Sequence, residues 1–451
     1  MDSKVKMRVQ DPKTRTNNFD QVELGYNSEE ALKEANRCLQ CKKPMCVTGC
    51  PVEIMIPEFI KYIREKDIKK AYEVISKSSC LPSVCGRVCP QERQCESKCI
   101  KGLKGEAIAI GSLERYVADS AFENNLITHN LKPKNGKKVA IVGSGPAGLT
   151  CASELAKEGY DVTIYEVLHE AGGVLIYGIP EFRLPKEIVK REVDSVKNMG
   201  VKIICDTPIG NALTIDDLKS EYDAVFIASG AGLPKFMGIP GEEGNEVFSA
   251  NEILTRINLM KAYKKDSKTP IKKAKIAYVI GGGNVAMDAV RSLKRLGIET
   301  HLMYRRGIEE LPARKMEVTH AEEEGIIFDL LQNPVEILLD ENNSVKGMKV
   351  INMVLGEVGE DGRRSVKEDE NSIHEVKCDM VVMALGTSPN HEAIKNSNIV
   401  LTDKGLISVD GTKTSIDNVF AGGDAVSGSA TVILAMQAGK DASKEIMEAL
   451  K

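Results

Sequence analysis

Lys138-Val139-Ala140-Ile141-Val142-Gly143-Ser144-Gly145-Pro146-Ala147-Gly148 runs from an apolar strand straight into a glycine-rich turn. A helical pattern over 149–159 and a second apolar strand over 161–165 complete the unit. Glycines spaced G-x-G-x-x-G allow a tight turn and let the backbone approach a pyrophosphate, whose charge sits at the helix N-terminus. Glu166 stands 18 residues after Gly148, at the end of the second strand, where a carboxylate can accept hydrogen bonds from a ribose diol. The order then repeats as strand 276–280, turn Gly281-Gly282-Gly283-Asn284-Val285-Ala286, helix 287–297 and strand 300–304. The sequence therefore predicts two dinucleotide-binding βαβ units in one chain. In the second unit the acid is missing: Arg305 is expected where the first has Glu166, and Arg306 follows. Two guanidiniums suit a 2′-phosphate that a carboxylate would repel. At ~1.5 kcal/mol per charge-assisted contact, the pair would favour NADP(H) over NAD(H) by roughly a hundredfold. The first site is accordingly read as FAD and the second as NADP(H).

Outward from this core, length and composition set bounds. The 451 residues suffice for about three domains. With 61 basic and 65 acidic side chains the net charge is −4, and no basic block suggests nucleic acid. Apolar runs such as 139–143 and 380–386 are strand-length and far short of a membrane span. The polar start (Lys4, Lys6, Arg8) is not that of a signal peptide, so a cytoplasmic protein is expected. Asn27-Ser28 followed by Glu29 and Glu30 marks a helix start, with the helix reaching about Leu39. Helical spacing over 57–75 and 112–122 makes residues 1–130 a small helical domain, and 132–137 a turn-rich linker. A strand over 418–422, ending in Gly423-Asp424, and a helix over about 430–450 close the chain.

Nine of the twelve cysteines fall between Cys38 and Cys99. Eight of them form two runs, Cys38-x2-Cys41-x4-Cys46-x3-Cys50-Pro51 and Cys85-x3-Cys89-Pro90-x4-Cys95-x3-Cys99. Thiolates this close, with Pro after Cys50 and Cys89, resemble the ligand runs of iron–sulfur ferredoxins and point to one-electron transfer. Structural zinc would want longer gaps between ligand pairs. A redox dithiol at Cys38-x2-Cys41 is conceivable. However, residues 251–377 contain no cysteine, which excludes a disulfide reductase of the thioredoxin-reductase type. Cys151, Cys205 and Cys378 read as core residues.

Further stretches carry a wider resemblance: Arg37-Cys38-Leu39-Gln40-Cys41, Gly86-Arg87-Val88-Cys89-Pro90-Gln91, Gly111-Ser112-Leu113-Glu114-Arg115, 172–180, Tyr304-Arg305-Arg306 and Ala421-Gly422-Gly423-Asp424. Together with both glycine turns they resemble the small (beta) subunit of NADPH-dependent glutamate synthase and its relatives over nearly the whole chain. Those relatives include the large subunit of NADH-dependent ferredoxin:NADP oxidoreductase, the alpha subunit of sulfide dehydrogenase and the N-terminal half of dihydropyrimidine dehydrogenase.

The resemblance implies an α/β fold of two Rossmann-like domains, of the pyridine nucleotide-disulfide reductase kind, behind a helical iron–sulfur domain. Its expected boundaries are 1–130 for the iron–sulfur domain, 131–250 with 378–451 for the FAD domain, and 251–377 for the NADPH domain. It implies two 4Fe-4S clusters: one on Cys38, Cys41, Cys46 and Cys99, the other on Cys50, Cys89, Cys95 and Glu114. Cys85 stays open as an alternative eighth ligand, and Cys80 is spare. FAD would be held by Gly143, Gly145, Pro146, Ala147, Gly148, Glu166, Gly172, Gly173, Val174, Gly230, Gly423, Asp424, Thr431 and Val432. NADP(H) would be held by Gly281, Gly283, Asn284, Val285, Ala286, Arg305, Arg306 and Gly386. Arg183 and Lys186 either bind flavin phosphates or cap a surface. No catalytic side chain is needed beyond the cofactors, because hydride transfer to a flavin is the cofactor's own chemistry. The implied partner is a second redox subunit, either the large subunit of glutamate synthase or a ferredoxin-reductase-like small subunit, or else ferredoxin. The opening segment 10–26 and Leu311-Pro312-Ala313-Arg314 look closer to the ferredoxin:NADP and sulfide dehydrogenase branch.

Overall fold

A computed structural model describes residues 3–359 and 362–451; Met1, Asp2, Glu360 and Asp361 lie outside the described residues. Two five-stranded parallel sheets carry the glycine turns. In the first, Lys138–Val142 is central, between Ala224–Ile227 and Asp161–Tyr165, with Val419–Ala421 and Lys202–Ile204 at the edges. In the second, Ile276–Ile280 is central, between Glu299–Tyr304 and Met380–Met383, with Ile327–Leu330 and Val247–Ser249 outside. Both central strands are buried apolar runs because both faces of each sheet are covered, the second by helices on one side and by the antiparallel strands around Ile337 and Val350 on the other. The helices Pro146–Lys157 and Asn284–Arg295 start inside the glycine turns, a few residues earlier than expected.

Two strands near the expected domain boundaries, Val247–Ser249 and Met380–Met383, pair into the second sheet, with Met380 opposite Ala277, although the sequence reading gave them to the FAD domain. An apolar strand-length run fits either sheet, so the sequence alone could not choose. Two short antiparallel strands, Leu233–Pro234 and Thr387–Ser388, carry the chain out of the first sheet's domain and back. A long antiparallel ribbon, Val345–Val358 with Arg364–Val376, was not anticipated; its outer strand is mostly exposed and shows no clean alternation.

In the N-terminal region, helix Ser28–Asn36 begins at the expected place: Asn27 accepts from Glu30 N at 2.9 Å, and Glu30 accepts from Asn27 N at 2.8 Å. It ends before the first cysteine rather than near Leu39. The helical run expected over 57–75 is two helices, Ile56–Arg64 and Ile68–Ser76. Lys66 takes a left-handed conformation between them, and Asp67 caps the second through Lys70 N at 3.0 Å. One continuous apolar core joins these helices to the first sheet, taking in Phe59, Leu113, Ile141, Leu149 and Met436.

Candidate functional site

The first glycine turn is shaped by close approach. A Cβ on Gly143 would meet Ala228 O at 2.5 Å, and one on Gly148 would meet Gly143 O at 2.0 Å. A Cβ on Gly145 would meet nothing within 4 Å, so open space lies before the N-terminus of Pro146–Lys157, where a phosphate is favoured. Gly172 and Gly173 cross over this turn with positive φ of 130° and 55°, and a Cβ on Gly173 would meet Gly145 Cα at 2.9 Å. Ser144 ties the pieces together. Its N–H donates to Glu166 Oε2 at 2.9 Å, its hydroxyl also donates to that oxygen, and Oγ accepts from Gly172 N at 2.9 Å. Leu168 N donates to Glu166 Oε1 at 2.9 Å, so the buried carboxylate is held at the strand end.

The C-terminal segment closes the same site. A Cβ on Gly423 would lie 3.1 Å from Ala147 Cβ, and one on Gly439 would lie 2.2 Å from Ala147 O. The helix Val432–Ala449, capped by Thr431, therefore lies against Pro146–Lys157. Burial pushes the Asp424 carboxyl up to about 6, opposed by the Ala430 N–H that it accepts. Gly230 takes φ 72° just past the strand Ala224–Ile227, and Val174 opens a short helix after Gly173. Thus every residue expected at FAD lies past the carboxyl end of a first-sheet strand or on a segment packed there, the ligand edge of open α/β sheets.

At the second turn, Gly281 has φ 142° and its Cβ would meet Ala384 O at 2.4 Å, while Gly283 faces open space. Gly282 is equally constrained, since its Cβ would sit 2.8 Å from the Tyr304 ring and from Leu311; the sequence reading passed it over. Asn284 opens the helix, Ala286 is buried, and Val285 is exposed. The strand registers correct one assignment. Val142 pairs with Tyr165, so Glu166 is one residue on; Ile280 pairs with Met303, so Tyr304, not Arg305, stands at the position of Glu166. Arg305 follows, exposed, and Arg306 Nε donates to Arg364 O of the long ribbon at 2.6 Å. Gly386 lies beyond Met383, where its carbonyl accepts from Lys235 N at 3.1 Å.

Arg183 and Lys186 belong to neither nucleotide. Arg183 donates to both oxygens of Asp288 at 2.8 Å and pairs with Glu317 at 2.9 Å. Lys186 Nζ donates to the carbonyls of Leu175, Ile179 and Leu184, and burial lowers it to about 8. Both therefore hold structure.

All twelve cysteines are free. Cys38, Cys41, Cys46 and Cys99 are half-buried, whereas Cys50, Cys85, Cys89 and Cys95 are buried. Burial pushes Cys46 up to about 11, with Cys99 and Cys38 adding to the shift. Burial likewise raises Cys50 to about 11, helped by Glu114 and Cys89, and raises Cys95 with Glu114, Cys50 and Cys89 contributing. The thiols of the two runs thus differ in burial, a half-buried group of Cys38, Cys41, Cys46 and Cys99 and a buried group that includes Cys85 beside Cys50, Cys89 and Cys95. Glu114 is notable beside the buried group. Its Oε1 is buried without a hydrogen-bond partner, and burial, with Glu192, pushes the carboxyl up to about 8. Unpaired buried carboxylates are costly, and this one is near enough to raise Cys50, Cys85 and Cys95, so it fits a position that binds metal. Cys85 is also close: its hydrogen bond with Cys89 and its burial raise it, and its Sγ lies 3.4 Å from Met436 Sδ. The choice between Glu114 and Cys85 stays open.

This geometry defines the class: an oxidoreductase with two nucleotide sites behind an iron–sulfur domain. Residues 15–126 match the family model of dihydropyrimidine dehydrogenase domain II, 4Fe-4S cluster, and residues 137–439 match that of pyridine nucleotide-disulphide oxidoreductase. The chain is 36% identical over 450 residues to the glutamate synthase [NADPH] small chain of Escherichia coli (strain K12), covering 97% of this chain and 95% of that one. It is 38% identical over 433 residues to the NADP(+)-dependent formate dehydrogenase subunit beta of Moorella thermoacetica, covering 90% of this chain but 60% of that one. FprA of Mycobacterium tuberculosis, solved in complex with NADPH, superposes with a TM-score of 0.59 at 20% identity, over 71% of this chain and 85% of that one, and shows the fold alone. The chain belongs to the glutamate synthase small-chain family, within the pyridine nucleotide-disulphide oxidoreductases. Its cofactor set is FAD, NADP(H) and 4Fe-4S. No described helix is long and apolar enough to cross a membrane.

Proposed function

We propose that this chain takes electrons from NADPH and delivers them one at a time, through FAD and two 4Fe-4S clusters, to the large chain of a glutamate synthase. The observation that carries the reading is the match at both ends, 97% of this chain and 95% of the Escherichia coli small chain. FAD accepts electrons as a pair and releases them singly, and clusters accept them singly; that is the chemistry these groups supply when bound.

The chain's own residues do the positioning. Glu166 would accept from the FAD ribose, and the turn at Gly143, Gly145 and Gly148 would seat its pyrophosphate at the helix N-terminus. The N-terminus beginning at Thr431 and Val432 would place the positive end of an 18-residue helix near the flavin, favouring negative charge there. Arg305 and Arg306 would grip the 2′-phosphate, with the Arg364 carbonyl fixing Arg306. Cys38, Cys41, Cys46 and Cys99 would bind the outer cluster, and Cys50, Cys89, Cys95 and Glu114 the inner one. The domain division, adjusted for the two shifted strands, follows these sites.

A second reading keeps the electron route and changes the partner. It is supported by the formate dehydrogenase relative, of which the chain spans only 60%. Purifying the chain anaerobically with its native partners decides between them. A partner that forms glutamate from glutamine and 2-oxoglutarate with NADPH bears out the first reading. A partner carrying a 2Fe-2S cluster and a second FAD, with no glutamate formed, rejects it.

A further inference from the structure

Leu311-Pro312-Ala313-Arg314 leaves the second sheet just after the two arginines and runs against the cysteine loop of the N-terminal domain. On one side this segment is bonded to the nucleotide turn. Ala313 N donates to Gly282 O at 3.2 Å, and Arg314 N donates to Asn284 Oδ1 at 2.9 Å. That bond fixes the Asn284 amide and leaves its Nδ2, a double donor, without a protein partner among the described residues, at the N-terminus where a pyrophosphate is favoured. On the other side the Arg314 guanidinium is largely buried against the loop that carries Cys89. It donates to Gln91 Oε1 at 2.9 Å and to Arg87 O at 3.2 Å, and it pairs with Glu92 at 3.3 Å. Gln91 is itself buried and passes the contact on, donating to Cys85 O at 3.2 Å and Gly86 O at 3.4 Å. Gly111 is glycine where a Cβ would strike Gln91 Nε2 at 2.3 Å.

We propose that Arg314 is a positioning residue that couples NADP(H) occupancy to the redox state of the inner cluster. One residue bridges the amide that faces the nucleotide and the loop that holds Cys89. The inference rests on the inner ligand set proposed above. The sign follows from charge. Reducing the inner cluster adds negative charge beside the loop that Arg314 neutralises, and a bound nucleotide adds negative charge at the Asn284 end. Like charges on the two sides of Arg314 disfavour each other, and because its backbone N–H fixes the Asn284 amide while its guanidinium fixes the cysteine loop, a displacement at either end is carried to the other; each event therefore weakens the other, and linkage makes the effect reciprocal.

The test uses the holoprotein and 2′-phospho-ADP-ribose, which has the phosphates but no nicotinamide and cannot exchange electrons. Its Kd is measured in oxidised and in dithionite-reduced protein, and the low-temperature EPR spectrum of the reduced clusters is recorded with and without it. In the unaltered chain the Kd should rise about fivefold on reduction, at the low end of measured couplings, and the cluster spectrum should shift on nucleotide addition. In Arg314→Ala the ratio should fall to within about twofold of unity and the spectral shift should vanish, with Arg314→Lys restoring part of both. Arg93→Ala, which removes only the donors to Pro312 O and Ala313 O, should keep the wild-type ratio. A ratio of one in the unaltered chain, or an undiminished ratio in Arg314→Ala, overturns the proposal. Iron retained in full by Cys95→Ser would instead remove the ligand set on which it rests, so the two failures are distinguishable.

Discussion

Arg305 and Arg306 show what single residues disclose and conceal. Their charge and place after a strand were legible, and with them the preference for a phosphorylated dinucleotide. Their register was misread although the spacing held it: Glu166 stands 18 residues after Gly148 and Tyr304 stands 18 residues after Ala286, so Tyr304 takes the place of Glu166 and the arginines follow it. Replacing them as Arg305→Glu with Arg306→Ala should lower kcat/KM for NADPH about a hundredfold and leave flavin content unchanged, measured by steady-state kinetics and absorbance. Arg183 and Lys186 were ambiguous for a different reason. The Arg183 partners Asp288 and Glu317 lie more than 100 residues along the chain, and the Lys186 partners are backbone carbonyls, which no side-chain pattern announces. The grouping of the cysteines into two ligand sets comes from the resemblance, and iron content is the measurement that tests it. Cys95→Ser should lower iron content, whereas Cys85→Ser should leave it intact; iron lost from Cys85→Ser would give that cysteine the place of Glu114.

At the scale of elements, the glycine turns, their strands and their helices were readable because each is set by local backbone constraints. The long ribbon and the N-terminal arm were not. Pro12–Arg15 is a single helical turn that contributes a fully buried guanidinium, bonded to Glu324 at 2.8 Å and Glu323 at 2.7 Å. Glu324 also takes Arg291 and Arg295 from the nucleotide helix. His320, on the helix Lys315–Glu323, lies in this charged interior; burial and Arg291 lower it to about 4, with Arg15 adding and Glu317 and Glu324 opposing. A histidine kept neutral in the fold and free to charge when unfolded gives full stability above its ordinary value of 6.5. That stability is lost as pH falls from there toward 4. The loss is roughly 3 kcal/mol. Against the cost of burial, Arg183 and Arg291 hold Glu317 at about 2, so its contribution is lost only at lower pH. Thermal unfolding followed between pH 7 and 4 should therefore show the unaltered chain losing Tm relative to His320→Asn as pH falls below 6.5. An unchanged slope in the variant would place the acid sensitivity elsewhere.

At the scale of the molecule, the iron–sulfur helices share one core with the flavin sheet, and the nucleotide sheet is tied to both by buried ion pairs. The thiols of the two runs grade from a buried group to a half-buried one. Pattern spacing revealed the three-part architecture, because cysteine runs and glycine turns are local. The docking of the parts was invisible, because it depends on pairs such as Arg15 with Glu324, separated by 309 residues. The central claim, that electrons arrive in pairs and leave singly across two clusters, is tested most directly by an anaerobic NADPH titration of the purified chain. Iron and flavin analysis and low-temperature EPR accompany it. The account predicts about eight iron atoms per FAD, bleaching of the flavin band, and EPR signals of reduced 4Fe-4S clusters after NADPH alone. About four iron atoms per FAD, or a flavin that NADPH bleaches while the clusters remain beyond its reach and that of dithionite, would contradict it.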